Sequence, residues 1–382
     1  MKFNKIIAFL FVGLLFFCSF GKAHAIYDPL IVKNNIFGIH ILFPSELSEA
    51  AYLVNSNGGD WGYVTIPMEA SDKDLTKWQE FMDNCKKYHL IPIIRIATTD
   101  DYFSKTSWSK PTDYDVLDFA NFLNSLNWPT KNRYVVIFNE PNRGDEWGGT
   151  PDASEYAQIL NYAVDVFKRE NQDFFIISAG LDNAAANVPG QSISDYTFMY
   201  EMNQAVPGIF GKIDGMASHS YPNPGFSMPP SSAREGVDSF YYQEQLAKQF
   251  SGKDLPVFIT ETGWSSNEVS EEQQSQYYIQ TFANYWDNPD IVAVTPFVFD
   301  AQQGDFSQFS FIGASGKNKI YYAYYNLPKQ KGEPELTPYT PNKTSNQAKF
   351  PTETFKSSSP MDSLFKTVNP SARKFFKWLL GV

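Results

Sequence analysis

Tyr134-Val135-Val136-Ile137-Phe138-Asn139-Glu140-Pro141-Asn142 is the stretch on which the reading of this chain turns. Its first residues are apolar and include a β-branched run, the pattern of a strand buried on both faces. The run stops at an Asn-Glu pair, and Pro141 forbids regular continuation. A carboxylate is therefore held at the end of a buried strand. Alone, Glu140 could cap the next helix or pair with a core arginine. A second stretch of the same kind follows, Pro256-Val257-Phe258-Ile259-Thr260-Glu261-Thr262-Gly263-Trp264. Two strand-end glutamates point to paired-carboxylate chemistry, in which one acid gives a proton and its partner works ionised.

Working outward from Glu140, short apolar runs alternate with longer amphipathic stretches. The runs are 36–42, 62–66, 91–96, 134–138, 174–179, 213–219, 257–260 and 291–299. Between them the spacing predicts helices from Ser45 onward and over 72–88, 113–126, 152–170, 239–250 and 270–286, with a short one at 321–326. Eight strands alternating with helices predict an α/β fold, a TIM (β/α)8 barrel, over residues 26–327. An open doubly wound sheet is the alternative. The barrel is preferred because polar residues gather after the strands, where a barrel puts its site. In a barrel, strands four and seven face each other across the mouth. The stretches 182–211 and 222–238 read as long loops.

The ends of the chain read differently. Lys2 and Lys5 precede an apolar run from Ile6 to Phe20, and Ala23-His24-Ala25 supplies a small-x-small cleavage pattern. Residues 1–25 are expected to be a signal peptide, giving a secreted or cell-envelope protein. An uncleaved anchor is the other reading, but the run is shorter than a membrane span. Residues 328–360 scatter six prolines among Lys, Thr, Ser, Gln and Asn and read as a linker or tail. Residues 361–382 read as a short amphipathic helical segment, with Phe375, Phe376, Leu379 and Leu380 opposite Arg373, Lys374 and Lys377. It either touches a membrane surface or docks on its own barrel.

The whole chain carries 31 Lys and Arg against 42 Asp and Glu, a net charge of −11. Removing Lys2, Lys5 and Lys22 with the leader brings this to 28 − 42 = −14. Such a chain is a poor partner for nucleic acid and suits a neutral polymer. Only Cys85 remains after the leader, so no intrachain disulfide can form. There is no glycine-rich phosphate loop and no Cys/His metal spacing, so neither metal nor cofactor is expected. Aromatic residues make up 16% of the chain, which agrees with a glycan site without establishing one.

Asn139-Glu140-Pro141 after strand four and Thr260-Glu261 after strand seven resemble the signature of clan A glycoside hydrolases. That resemblance spans the barrel in element order and implies a retaining mechanism. Glu140 would be the acid/base, Glu261 the nucleophile, and Asn139 a partner of the sugar 2-hydroxyl. His219-Ser220-Tyr221 at strand six matches the His and Tyr that line the catalytic subsite in related enzymes. Tyr221 would then orient Glu261, and His219 would bind substrate or the acid/base. Arg95, late in strand three, is placed beneath the nucleophile by the resemblance, though an ordinary core ion pair fits it equally. His40 ends strand one, facing either the cleft or the core. Trp147 and Trp264 follow the two glutamates and are candidates for stacking on sugar, with Trp61, Trp108 and Trp128 behind them. Many clan members end strand eight with a Trp; here Phe299 is the candidate for that role. The Glu-Thr-Gly-Trp string is similar to families acting on β-1,3-glucans, and Asn-Glu-Pro-Asn to those acting on β-xylosides. The expected activity is hydrolysis of a β-linked poly- or oligosaccharide by a monomer. A transglycosylase using the same residues, or a glycan-binding protein on the same barrel, are the alternatives.

Overall fold

The computed structural model describes residues 26–99, 107–301 and 304–338. Eight parallel strands pair in chain order: β1 Gly38–His40, β2 Gly62–Glu69, β3 Leu90–Ala97, β4 Arg133–Ile137, β5 Phe174–Ser178, β6 Gly215–His219, β7 Val257–Glu261 and β8 Ile291–Val294. A parallel bridge between Phe37 and Val294, with a 3.0 Å bond from His40 N to Pro296 O, joins the last strand to the first. The fold is a (β/α)8 barrel, as the strand count predicted.

Helices start where a side chain can take the free N–H groups of the first turn. Asp74, Thr112, Asp152, Ser194, Ser270 and Asn318 each accept from a backbone N–H two or three residues on. Along the strands, side chains alternate between the barrel interior and the space beneath the helices. Tyr63, Ile91, Ile93, Tyr134, Val136, Phe175, Ala217 and Phe258 pack together inside the barrel. Ile39, Ile66, Ile94, Val135, Ile176 and Ile259 face outward and join Trp78, Phe119, Leu160 and Phe167 in the main core. This two-residue period brings polar residues to the mouth. Ile91 and Ile93 lead to Arg95, Ala217 leads to His219, and outward Ile39 and Ile41 leave His40 facing in.

Three expectations change. The stretch 182–211 is not all loop, since it holds helices Asp195–Ala205 and Ile209–Lys212. Strand β8 ends at Val294 rather than at residue 299. The chain also does not leave the barrel at Pro328. Lys329 Nζ bonds the carbonyls of Tyr324, Tyr325 and Leu327 and the Ser56 hydroxyl. Further on, Gly332 N bonds Asp60 O, Lys131 N bonds Glu335 O and Thr337 N bonds Pro129 O. Residues 329–337 thus pack beside the starts of β2 and β4, away from the mouth. The signal peptide, the tail from residue 339 and the 361–382 helix lie outside the described residues.

Candidate active site

Strict alternation alone would not build the site: a local departure lies beside each glutamate. At the end of β4, Phe138 takes φ 66° and Glu140 φ 33°. Left-handed backbone at a non-glycine residue costs of order 1–3 kcal/mol and persists where surrounding structure enforces it. The kink swings Phe138 out onto Trp147, at 6.2 Å between ring centroids, while Glu140 keeps the inward aim of Tyr134 and Val136. In β7 the device is a bulge. Ser218 pairs with Ile259 but His219 pairs with Glu261, so Thr260 is an extra residue. Without it, Glu261 would follow Val257 and Ile259 outward; with it, Glu261 faces in.

The two carboxylates meet around one histidine. Glu140, His219 and Glu261 each bring an atom within 4.8 Å of the other two. Among the described residues this is the one His/Cys/Asp/Glu grouping close enough to hold a metal ion, and it is equally the geometry of an acid beside a nucleophile. His219 Nδ1 is hydrogen-bonded to Glu140 Oε1 at 2.7 Å. Tyr221 donates to Glu261 Oε2 at 3.1 Å. Beneath Glu261, His40 Nε2 and Arg95 Nη1 each stand 3.8 Å from Oε1. Sequence reading placed Glu140, Glu261, His219 and Tyr221 in one site and left Arg95 and His40 open between site and core; the structure brings all six together.

Their surroundings drive the two carboxyls apart in acidity. Burial raises the pKa of Glu140, and the charges of Asp182 and Glu261 add to that, outweighing the bond from His219. Glu261 is equally buried, which alone would raise it. The charges of His219 and Arg95 and the Tyr221 bond overcome this and hold it below the ordinary range. Burial alone would lower His219, yet Glu261 and Glu140 raise it. His40 is pushed down to about 3 by burial and is neutral. One carboxyl is set to keep a proton and the other to lose it.

Sequence reading missed several participants. Gly180, after β5, lies so close to His219 that a Cβ there would sit 2.2 Å from Cδ2. Arg143 forks onto Asp145 at 2.7 Å and Asp182 at 3.1 Å and stands 3.8 Å from Glu140. Asn142 ties this turn to the β5 loop through the Asp182 and Ile193 carbonyls, both at 3.0 Å. Glu146 lies near Glu140 in the same turn. Its place in an acid-rich turn directly before Trp147 was the available signal.

The aromatic candidates require correction. Trp147 and Trp264 are 0% and 1% exposed and cannot stack on a sugar. Each sits in the main core, with its indole N–H bonded to Glu155 at 3.4 Å and to the Met228 carbonyl at 2.9 Å respectively. The loops after β4 and β7 fold back over the helices and take these rings with them. Trp128 is also core, and Trp61 stacks on His89 away from the mouth. The backbone N–H of Trp108 bonds Asp145 O at 2.8 Å, which ties it to the turn after β4. Phe299 is buried in the main core, because β8 ends earlier than the apolar run suggests. Phe297 lies closer to the site, 5.0 Å from the His40 ring and packed with Tyr221 and Phe309. Phe306, 55% exposed, lies edge-on to Phe297 at 5.1 Å.

Compared with known proteins, the chain matches no family description and no curated protein. Solved structures do match. A family 39 glycoside hydrolase from Bacteroides cellulosilyticus WH2 aligns at 17% identity and TM-score 0.54, over 78% of this chain and 64% of that one. An endo-β-1,3-glucanase of family GH128 from Sorangium cellulosum aligns at 14% identity and TM-score 0.51, over 78% and 98%. A family GH39 β-xylosidase from Caulobacter crescentus aligns at 15% identity and TM-score 0.51, over 77% and 72%. At these identities the likeness establishes the fold, a (β/α)8 barrel shared with glycoside hydrolases of the clan that the sequence motifs resemble.

Proposed function

We propose that this chain is an exported retaining β-glycosidase acting on a poly- or oligosaccharide, with Glu140 as acid/base and Glu261 as nucleophile. One observation carries the reading: carboxyl oxygens of the two residues lie within 4.8 Å at the barrel mouth, with opposed acidity. Retaining glycosidases hold their carboxyls about 5–5.5 Å apart, whereas inverting ones need about 6.5–9.5 Å to admit a water. Protonated Glu140 gives its proton to the leaving oxygen while ionised Glu261 forms a bond to the anomeric carbon. Glu140, now ionised, takes a proton from water, whose oxygen displaces Glu261 and restores both groups. Tyr221 fixes the attacking carboxylate, and His40 and Arg95 support it from below. Asn139 meets the sugar 2-hydroxyl, a contact that tightens at the oxocarbenium-like transition state. Export rests on the leader pattern of residues 1–25. A β-linked glycan is supported by the glucanase and xylosidase among the structural neighbours.

The test is leaving-group dependence. Glu140→Gln is expected to lose about 10²–10⁴-fold on glycosides with poor leaving groups, the usual worth of general acid catalysis. It should lose far less on activated aryl glycosides, which need no proton. Equal, full rates on both would remove Glu140 from the acid role.

A further inference from the structure

Resting on that reading, we propose that Arg143 is a positioning residue for the acid/base: by clamping Asp145 and Asp182 it fixes how much negative charge faces Glu140, and so how readily Glu140 passes between its acid and base roles. Arg143 follows Glu140 by one helical-type turn, and its backbone N–H bonds the Glu140 carbonyl at 2.9 Å. An antiparallel bridge to Ser192 holds the same residue from the other side. The guanidinium is then spent in a set way. Nε and Nη2 fork onto the two oxygens of Asp145 at 3.0 and 2.7 Å, and Nη1 reaches Asp182 Oδ2 at 3.1 Å. Asp182 is held in reach because Asn142 bonds both its N–H and its carbonyl, at 3.1 and 3.0 Å. Nε stands 3.8 Å from Glu140 Oε2, too far for a hydrogen bond. His219 holds Oε1 of the same carboxyl, so Oε2 is the oxygen left to serve the leaving group. Arg143 therefore acts on that oxygen by charge without occupying it. One cation against two carboxylates leaves the trio with a single negative charge. That charge favours protonated Glu140 in the first step, while the guanidinium limits it so that Glu140 still ionises for the second. Burial is the largest influence raising the Glu140 pKa, and the Asp182 charge adds to it. The other groups facing Glu140 are His219 from β6, Glu261 from β7 and Glu146 from its own turn, with Arg95 and His40 beside Glu261.

The experiment compares the pH dependence of kcat/KM in wild type, Asp182→Asn, Arg143→Gln, Arg143→Lys and the double variant Asp182→Asn/Arg143→Gln. The substrate is the β-glycoside with a poor leaving group that wild type cleaves fastest, which needs Glu140 protonated. Folding is checked by circular dichroism and thermal melting. Asp182→Asn makes the trio neutral, so the alkaline limb should move to lower pH by about one unit. Arg143→Gln leaves two unmatched carboxylates, so the limb should move about as far to higher pH. Arg143→Lys keeps the charge and should stay nearer wild type than Arg143→Gln. The double variant again carries a single negative charge, and its limb should return to the wild-type position. A merely structural role would give neither the opposed shifts nor the return. Limbs unmoved in the single variants, limbs that move the same way, or a double variant that stays displaced would each overturn the proposal. Should Arg143→Gln not fold, an unmoved limb in Asp182→Asn would overturn it alone. A wild type that cleaves no β-glycoside would instead overturn the glycosidase reading together with this one, so the two failures are distinct.

Discussion

Gly180→Ala tests how closely the acid/base depends on packing. The added Cβ would sit 2.2 Å from His219 Cδ2, 2.5 Å from Nε2 and 2.9 Å from Cγ. The ring would have to retreat about 1.2 Å to reach the 3.4 Å of ordinary contact. It is fully buried and has little room to do so. A retreat of that size breaks its 2.7 Å bond to Glu140 Oε1. Overpacking of this kind costs about 1–3 kcal/mol of stability. Displacing a group beside the reacting bond by about 1 Å costs on the order of 10² in rate. The assays are thermal melting and kcat/KM on a glycoside with a poor leaving group. Gly180→Ala should melt lower and lose about 100-fold. Combining it with His219→Ala, which removes the ring, should cost little more than His219→Ala alone, because the clash has gone. Wild-type melting and rate in Gly180→Ala, or additive losses in the double variant, would refute this account of the contact.

Two further outcomes follow from the site's electrostatics. Glu140 works protonated, and its pKa is raised, so activity should persist above the ordinary carboxylate range and fall as pH rises through the titration of the Glu140–His219 pair. Glu261 works ionised and its pKa is lowered, so activity should fail on the acid side only below that range, about 4.3 for a free Glu. A kcat/KM profile whose acid limb lies above the ordinary range would contradict the assignment. Tyr221→Phe removes the 3.1 Å bond to Glu261 and should cost about tenfold in kcat/KM, the worth of one hydrogen bond to a charged group. Because that bond lowers the Glu261 pKa, its loss should also move the acid limb to higher pH; an unmoved limb would mean that Tyr221 does not act on Glu261.

Much of this architecture was legible before any coordinates, for a physical reason. Strands buried on both faces leave continuous apolar runs, and the polar residues that end them stand out. Glu140, Glu261, His219 and Arg95 were found that way. What sequence could not show was the aim of each side chain. The left-handed turn at Phe138 and Glu140 and the extra Thr260 in β7 are backbone events without a dedicated residue signal. Trp147 and Trp264 misled because position after a strand does not say whether a loop folds back into the core. Phe299 misled because the apolar run continues past the end of β8 at Val294. Gly180 was invisible because its importance lies in a contact with His219, 39 residues away.

The central claim is that Glu261 attacks the anomeric carbon while Glu140 manages the proton. Proton NMR of the first-formed product, followed as a β-linked substrate is cleaved, tests it most directly. Two displacements return the starting configuration, so the β-anomer should appear first and mutarotate later. An α-anomer as first product would mean a single displacement by water and would contradict the assignment of Glu261 as nucleophile.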